Sequence, residues 1–244
     1  MAVGLATCIL VTGATGRLGR LLVPALQQAG HDVRAGGRRG PWAHDLGTGE
    51  GLDRAVEGVE AIVHLASSPS RRTREVDVDG TARLLDAART EGVKHFLYPS
   101  IVGIHRIPLA YYRAKLDAER AVAASDVPHT IVRITQFHVF LREITEGLLR
   151  WPVVLAPAGV RFQPIDETVV AQELVQMIDT GPVGRAPDLG GPEVIDLPEV
   201  LRRVRGARRR WVISRGIPSV GPLRALREGA LCLEQGRILG PAFA

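Results

Sequence analysis

Thr12-Gly13-Ala14-Thr15-Gly16-Arg17-Leu18-Gly19 is the stretch on which the fold turns. An apolar run, residues 7–11, leads into it, and a segment with helical apolar spacing, residues 18–29, leads out. Three glycines at a strand-to-helix junction create a place where backbone N–H groups at the helix start can receive a pyrophosphate. Gly13 and Gly16 let the chain turn and approach the phosphates closely, and Gly19 lets the helix pack tightly. A glycine triplet elsewhere would be an ordinary tight turn; here it opens an alternating α/β chain, which makes Gly13, Thr15, Gly16, Arg17, Leu18 and Gly19 candidate contacts for a nicotinamide dinucleotide.

Outward from this turn, short apolar runs alternate with longer amphipathic stretches. The spacing predicts strands at 7–11, 31–35, 61–65, 94–98 and 129–134, with a weak one before Asp45. It predicts helices at 18–29, 81–91 and about 109–124. The strands are almost continuously apolar, as in a parallel sheet covered on both sides. The implied fold is α/β: a Rossmann-type doubly wound parallel sheet with helices on both faces. Beyond Thr135 the rhythm loosens. Helices are expected at 140–149, at 197–204 and from an Asp166 N-cap to about 179, with a short strand at 153–156. The reading is a dinucleotide-binding core over 1–135 and a small C-terminal substrate-covering segment over 136–244, partly woven into the same domain.

The end of the second strand bears on cofactor choice. An acidic residue there would hold the ribose hydroxyls of NAD(H), but this chain has Ala35-Gly36-Gly37-Arg38-Arg39. A guanidinium at Arg38, helped by Arg34 and Arg39, favours the extra phosphate of NADP(H), with NAD(H) the second choice. Surface arginine is the plain alternative. Asp45 and Leu46 are placed where adenine would rest, and Leu65, Ala66 and Ser67, closing the strand at 61–65, would line the middle of the cofactor.

Tyr111 and Lys115 stand one helical turn apart on a common face. An ammonium beside a phenol favours the phenolate, so Tyr111 can exchange a proton while Lys115 also holds the nicotinamide ribose. Ser100 falls on the carboxyl edge of the sheet, where its hydroxyl would polarise a substrate carbonyl. Singly, these residues read as a core tyrosine, a solvated lysine and a turn serine; after a dinucleotide turn they read as one site.

Composition narrows the classes. The formal net charge is +5, and much of the excess is the arginine run 202, 203, 205 and 208–210. That run reads as a solvated face, since Trp211 is its lone stacking aromatic, and nucleic-acid binding is disfavoured. No apolar stretch reaches membrane-spanning length. The apolar start lacks a basic leader and reads as a strand, so a cytoplasmic protein is expected. Two distant cysteines, Cys8 and Cys232, imply neither a disulfide nor a metal site.

The TGATGRLG turn, HLAS at 64–67, DVDGTARLLDAARTEGVKHFLYPSIVG at 77–103 and YYRAK at 111–115 resemble the short-chain dehydrogenase/reductase superfamily, and within it the atypical, NmrA-like NAD(P)H-binding group. The resemblance spans roughly residues 5–200. It implies that Tyr111 and Lys115 match the family's Tyr-x-x-x-Lys pair, with Tyr112 the competing tyrosine. It makes Ser100 the serine or threonine after the fifth strand, although Ile101 follows where many relatives have a second small polar residue. Thr135, Gln136 and Phe137, with His138, correspond to a loop facing nicotinamide and substrate.

These readings imply an NADP(H)-dependent oxidoreductase of a small carbonyl or quinone-like substrate, with an epimerase as a variant. The alternative is a non-catalytic protein that senses the NADP(H) redox state, as some members of the group do. His138, Phe140, Trp151, Phe162 and Gln163 are candidate pocket walls. A monomer or homodimer is expected.

Overall fold

The computed structural model describes residues 6–69, 72–151, 153–206, 211–215 and 221–243. In chain order the first elements are β1 (Cys8–Thr12), α1 (Arg17–Gln28), β2 (Asp32–Ala35), α2 (Leu52–Val56) and β3 (Ala61–His64). A π-helical turn (Arg74–Asp79) runs directly into α3 (Gly80–Thr90), followed by β4 (His95–Ile101), α4 (Ala110–Ala124) and β5 (His129–Ile134). Then come α5 (His138–Leu148), β6 (Val153–Pro157), β7 (Arg161–Phe162), α6 (Glu167–Thr180), β8 (Gly184–Arg185), β9 (Leu189–Gly190) and β10 (Ile195–Asp196). The last are α7 (Leu197–Arg205), β11 (Trp211–Arg215), α8 (Pro222–Arg227) and β12 (Arg237–Ile238). The chain divides into two compact units, Met1–Ser100 with Ala110–Val132 and Val170–Ala186, and Ile101–Leu109 with Arg133–Val169 and Pro187–Ala244.

The first unit is built on a parallel sheet in the order β2-β1-β3-β4-β5, with β8 paired to β5. Consecutive strand residues face opposite sides, which accounts for near-total burial. Leu10, Ile62, Phe96, Tyr98 and Ile131 join one core cluster with Val56 of α2, Leu84 and Ala88 of α3 and Ala118 and Val122 of α4. Ile9, Val11, Val63, Leu97 and Val132, of opposite parity, are equally buried. Helix α1 buries Leu18, Leu22 and Leu26, one stripe at i, i+4 and i+8.

The weak strand expected before Asp45 does not form. A single bridge, Gly37 to Ala43, stands in its place. The segment is held instead by its own turns: the Asp45 carboxylate accepts from the backbone of Gly47 at 2.7 Å and of Thr48 at 3.3 Å. Local Asx bonding outcompetes a sheet ladder in a stretch with few β-branched residues.

In the second unit, Ile134 at the end of β5 pairs with Leu189, β12 pairs with β9, β10 with β7 and β11 with β6. Asp196 caps α7 by accepting from the Glu199 backbone at 2.8 Å. Asp166 accepts from the Thr168 backbone at 2.7 Å just ahead of α6. Both are N-cap geometries that satisfy first-turn donors. Two buried amides pin the C-terminal segment: Gln136 Nε2 donates to the Leu231 carbonyl at 3.1 Å, while Gln163 Nε2 donates to the Gly191 carbonyl at 2.8 Å. Gln163 Oε1 in turn accepts from the Leu233 backbone at 2.7 Å.

Candidate functional site

The glycine turn is shaped by contact as much as by torsion. Gly13 has φ +66°, and a Cβ built there would sit 2.7 Å from the backbone nitrogen of Ala66. A Cβ on Gly19 would sit 2.5 Å from the Gly13 carbonyl oxygen, so the first turn of α1 rests directly on the glycine turn. Gly16 is the N-cap of α1, has no side-chain cap, and no acidic residue follows in the first turn. No side chain at Gly16 and no first-turn carboxylate therefore offsets the positive end of this helix.

Beside this turn lies a cavity of about 440 Å³ lined by Gly13, Thr15 and Gly16, by Arg38, Asp45 and Leu46, and by Leu65, Ala66 and Ser67. The predicted cofactor residues of the first unit thus meet at one cavity, with four exceptions. Arg17 stands exposed, Leu18 turns into the core, Gly19 is buried under the turn, and Lys115 is buried on α4 outside the lining. Arg34 is a correction. Its guanidinium donates to the carbonyls of Ala55 (3.2 Å) and Glu57 (2.6 Å) and lies 4.1 Å from the Trp42 ring centroid, so it braces the fold and is not a free phosphate ligand. The sequence reading missed Arg72 and His44, which also line the cavity. Arg72 makes a bidentate pair with Glu75. Neither residue lies at a strand end, so no positional signal marked them.

Beneath the cavity runs a closed chain of buried polar groups. Thr81 Oγ1 donates to the Asp77 carbonyl at 2.7 Å, so it must accept from His64 Nε2 at 3.0 Å. His64 Nδ1 is then an acceptor for Thr12 Oγ1 at 2.7 Å, and Thr12 Oγ1 accepts from the Ala66 backbone at 3.2 Å. Burial, with Lys115 and His44 nearby, pushes His64 down to about 3, and the imidazole is neutral. The network ties the glycine turn to the 65–67 segment.

Tyr111, on the first turn of α4, points its hydroxyl at Ser67 Oγ, 3.1 Å away. Ser67 donates to Asp77 Oδ1 at 2.5 Å, and the Ser68 backbone donates to Asp77 Oδ2 at 2.8 Å. Lys115 is only 5% exposed, and its ammonium lies 4.3 Å from the Tyr98 ring centroid. Burial pulls the Lys115 ammonium down from the usual range, opposed by Tyr111, Asp77 and Glu119. Tyr112 is a weaker proton donor, pushed up to about 12 by burial with Tyr111 adjacent. Ser100 is 5% exposed, and its hydroxyl is buried without a partner among the described residues.

Thr135, Gln136 and Phe137 lie in the second unit. Thr135 has a buried hydroxyl without a partner among the described residues, Gln136 is engaged by the C-terminal segment, and Phe137 is the N-cap of α5. The expected pocket walls scatter. Trp151 is 70% exposed and Phe140 is also exposed, His138 packs edge-on against Phe243, and Gln163 is a buried brace. A cavity of about 420 Å³ in this unit is lined instead by Val102, His105, Arg106, Arg133, Asp188, Cys232 and their neighbours. Of the arginine run, Arg202 and Arg203 pair with Glu199, and Arg203 also with Glu193. Arg208, Arg209 and Arg210 lie outside the described residues. Both cysteines are free thiols. Among the described residues no helix is long and apolar enough to cross a membrane, and no cluster of His, Cys, Asp and Glu suits a metal ion.

The sequence profile of a family described as NAD(P)H-binding matches residues 13–143. A (4-alkanoyl-5-oxo-2,5-dihydrofuran-3-yl)methyl phosphate reductase of Streptomyces griseus is 32% identical over 223 residues, 83% of this chain and 76% of that protein. A ceramide reductase of Caulobacter vibrioides is 37% identical over 141 residues, 51% of this chain and 44% of that protein, so the chain spans less than half of that relative. Among solved structures, a short-chain dehydrogenase/reductase superfamily protein from Agrobacterium tumefaciens, with bound NAD, aligns with a TM-score of 0.70 at 22% identity, over 92% of this chain and 96% of the other.

Proposed function

The chain belongs to the NAD(P)H-binding family, and from that premise we propose that it is an NADP(H)-dependent reductase of the short-chain dehydrogenase/reductase type, acting on a small carbonyl or quinone-like substrate. The observation that carries the proposal is the meeting, within one compact unit, of the glycine cavity and the Ser67–Tyr111 contact, with buried Lys115 and the orphan Ser100 hydroxyl in the same unit.

The residues present fit a dinucleotide. Gly13 packs against the Ala66 backbone with no room for a side chain, and the two form part of the wall of the cavity of about 440 Å³, which has room for a bound group. Backbone N–H groups at Thr15, Gly16 and the start of α1 would hold the pyrophosphate. Arg38 would meet the 2′-phosphate, Asp45 and Leu46 the adenine end, and Leu65, Ala66 and Ser67 the middle of the cofactor. Bound NADPH supplies a hydride to the substrate carbon. Tyr111 gives its phenolic proton to the substrate oxygen, Ser100 donates a hydrogen bond to that oxygen, and Lys115 holds the ribose and balances the phenolate left behind. The carbonyl gains two electrons and two hydrogens and leaves as an alcohol.

The test is NADPH oxidation across a panel of ketones, aldehydes and quinones, with wild type and Tyr111→Phe compared and NADPH binding measured in both. Turnover that falls by about a hundredfold with binding intact supports the assignment. Undiminished turnover in the variant removes Tyr111 as the acid.

A further inference from the structure

The Ser67–Asp77 contact has a sense of direction. A serine hydroxyl carries one proton, and Ser67 commits it to Asp77 Oδ1 at 2.5 Å. Only a lone pair is left for Tyr111 Oη at 3.1 Å, so at this contact Tyr111 is the donor and Ser67 the acceptor. A hydrogen bond of that polarity exists for the neutral phenol and is lost by the phenolate. Asp77 itself is 1% exposed and fixed from a second side by the Ser68 backbone, so it cannot turn away from Ser67.

We propose that Asp77, acting through Ser67, is a positioning residue that holds Tyr111 in its protonated form, the form that carbonyl reduction requires. The inference rests on the reductase reading above and adds how its proton donor is kept loaded. Lys115, one turn along α4, pulls the other way by favouring the phenolate. Asp77 from the π-helical turn and Glu119 a further turn along α4 both favour the charged form of Lys115, against the burial that pulls it down. The other groups at hand are neutral: Tyr98 of β4 under Lys115, the adjacent Tyr112 ring, and His64 of β3. Tyr111 is itself half-buried and not sealed off, so the proton it gives up is replaced from solvent. Each turnover therefore consumes one solvent proton and one hydride.

The experiment follows tyrosinate absorbance of the intact protein against pH, with the step belonging to Tyr111 identified as the one missing in Tyr111→Phe. Tyr98 and Tyr112 do not confuse it, because burial pushes both above the ordinary tyrosine range. In Asp77→Asn the charge disappears and the new amide can donate to Ser67, which frees the serine proton for the phenolate. The Tyr111 step moves to lower pH by about one unit. In Ser67→Ala the phenol loses the acceptor that binds only its neutral form, and the step moves in the same direction by less; Ser67→Thr restores it. If Asp77→Asn does not fold, the Ser67 pair carries the test alone. A step at the same pH in wild type, Asp77→Asn and Ser67→Ala overturns the proposal and leaves Asp77 as a cap for Ser68. The titration needs no substrate, so absence of turnover on every compound would defeat the reductase reading without touching this result.

Discussion

Replacing Gly13 with alanine tests whether Gly13 and Ala66 form one wall of the binding cavity. At φ +66° an alanine costs about 1–2 kcal/mol for left-handed backbone. Its Cβ would lie 2.7 Å from the Ala66 nitrogen and 2.8 Å from the Ala66 Cα, both backbone atoms that cannot swing aside. Overpacking of that kind adds about 1–3 kcal/mol. With about 2–4 °C per kcal/mol for a chain of this size, Gly13→Ala lowers Tm by roughly 10 °C. Gly16→Ala is the control. Gly16 has φ −71°, and its Cβ would approach only the Gly13 carbonyl, at 3.1 Å, so its Tm falls by no more than about 3 °C. The affinities diverge as well. In Gly13→Ala the added methyl group is relieved only by displacing residues 65–66, which line the cavity, so NADPH titration by calorimetry shows at least a tenfold loss, a change of about 1.4 kcal/mol. Equal melting and equal NADPH affinity for the two variants would refute the claim that Ala66 and Gly13 form one wall of the binding cavity.

Three further outcomes are expected. Arg38→Ala weakens NADPH about tenfold, the lower end for a charge-assisted hydrogen bond because Arg38 is solvent-exposed, and leaves NADH binding unchanged; an equal loss for both cofactors would remove Arg38 as the selector. His64 is neutral in the fold at about 3 and ordinary, near 6.5, in the unfolded chain, so the unfolded state binds the extra proton between those values. The stability His64 contributes is complete above pH 6.5 and drains away as pH falls toward 3, and denaturant melts of His64→Gln should show a shallower decline from pH 6.5 to 4 than wild type; parallel declines would contradict the buried neutral imidazole. Gln163→Leu strands the Gly191 carbonyl and the Leu233 amide, at a cost of about 2–4 kcal/mol, read as lost hydrogen-exchange protection at Leu233. Unchanged protection there would show that the C-terminal segment is held by something else.

Legibility followed the physics of each segment. β5 was readable to the residue because Pro128 interrupts the chain just ahead of it and the β-branched residues Thr130, Ile131, Val132 and Ile134 are all buried. The glycine turn was readable because its demand is local: torsion and close approach leave glycines in the sequence itself. The two-residue strands β7, β8, β9, β10 and β12 were not, since each is defined by a partner distant in sequence and has too few residues to show a period. The π-helical turn before α3 escaped notice because its apolar spacing merges with that of the helix it enters.

The candidate site divides along the same line. Tyr111 and Lys115 sit one helical turn apart, so sequence spacing alone put them on one face. Asp77 had no such mark. It sits in a charged stretch, Arg74-Glu75-Val76-Asp77-Val78-Asp79, where Glu75 and Asp79 are indistinguishable from it by composition. Only the fold separates them, by burying Asp77 and giving its two oxygens to Ser67 and Ser68. The same holds for Arg34 and Arg38. Four residues apart at one strand end, they are equivalent as letters, yet one is consumed by the Ala55 and Glu57 carbonyls while the other lines the cavity. A titratable side chain's availability is a property of what its neighbours have already claimed: Arg34 is spent on two carbonyls and Asp77 on two serines, while Arg38 lines the cavity.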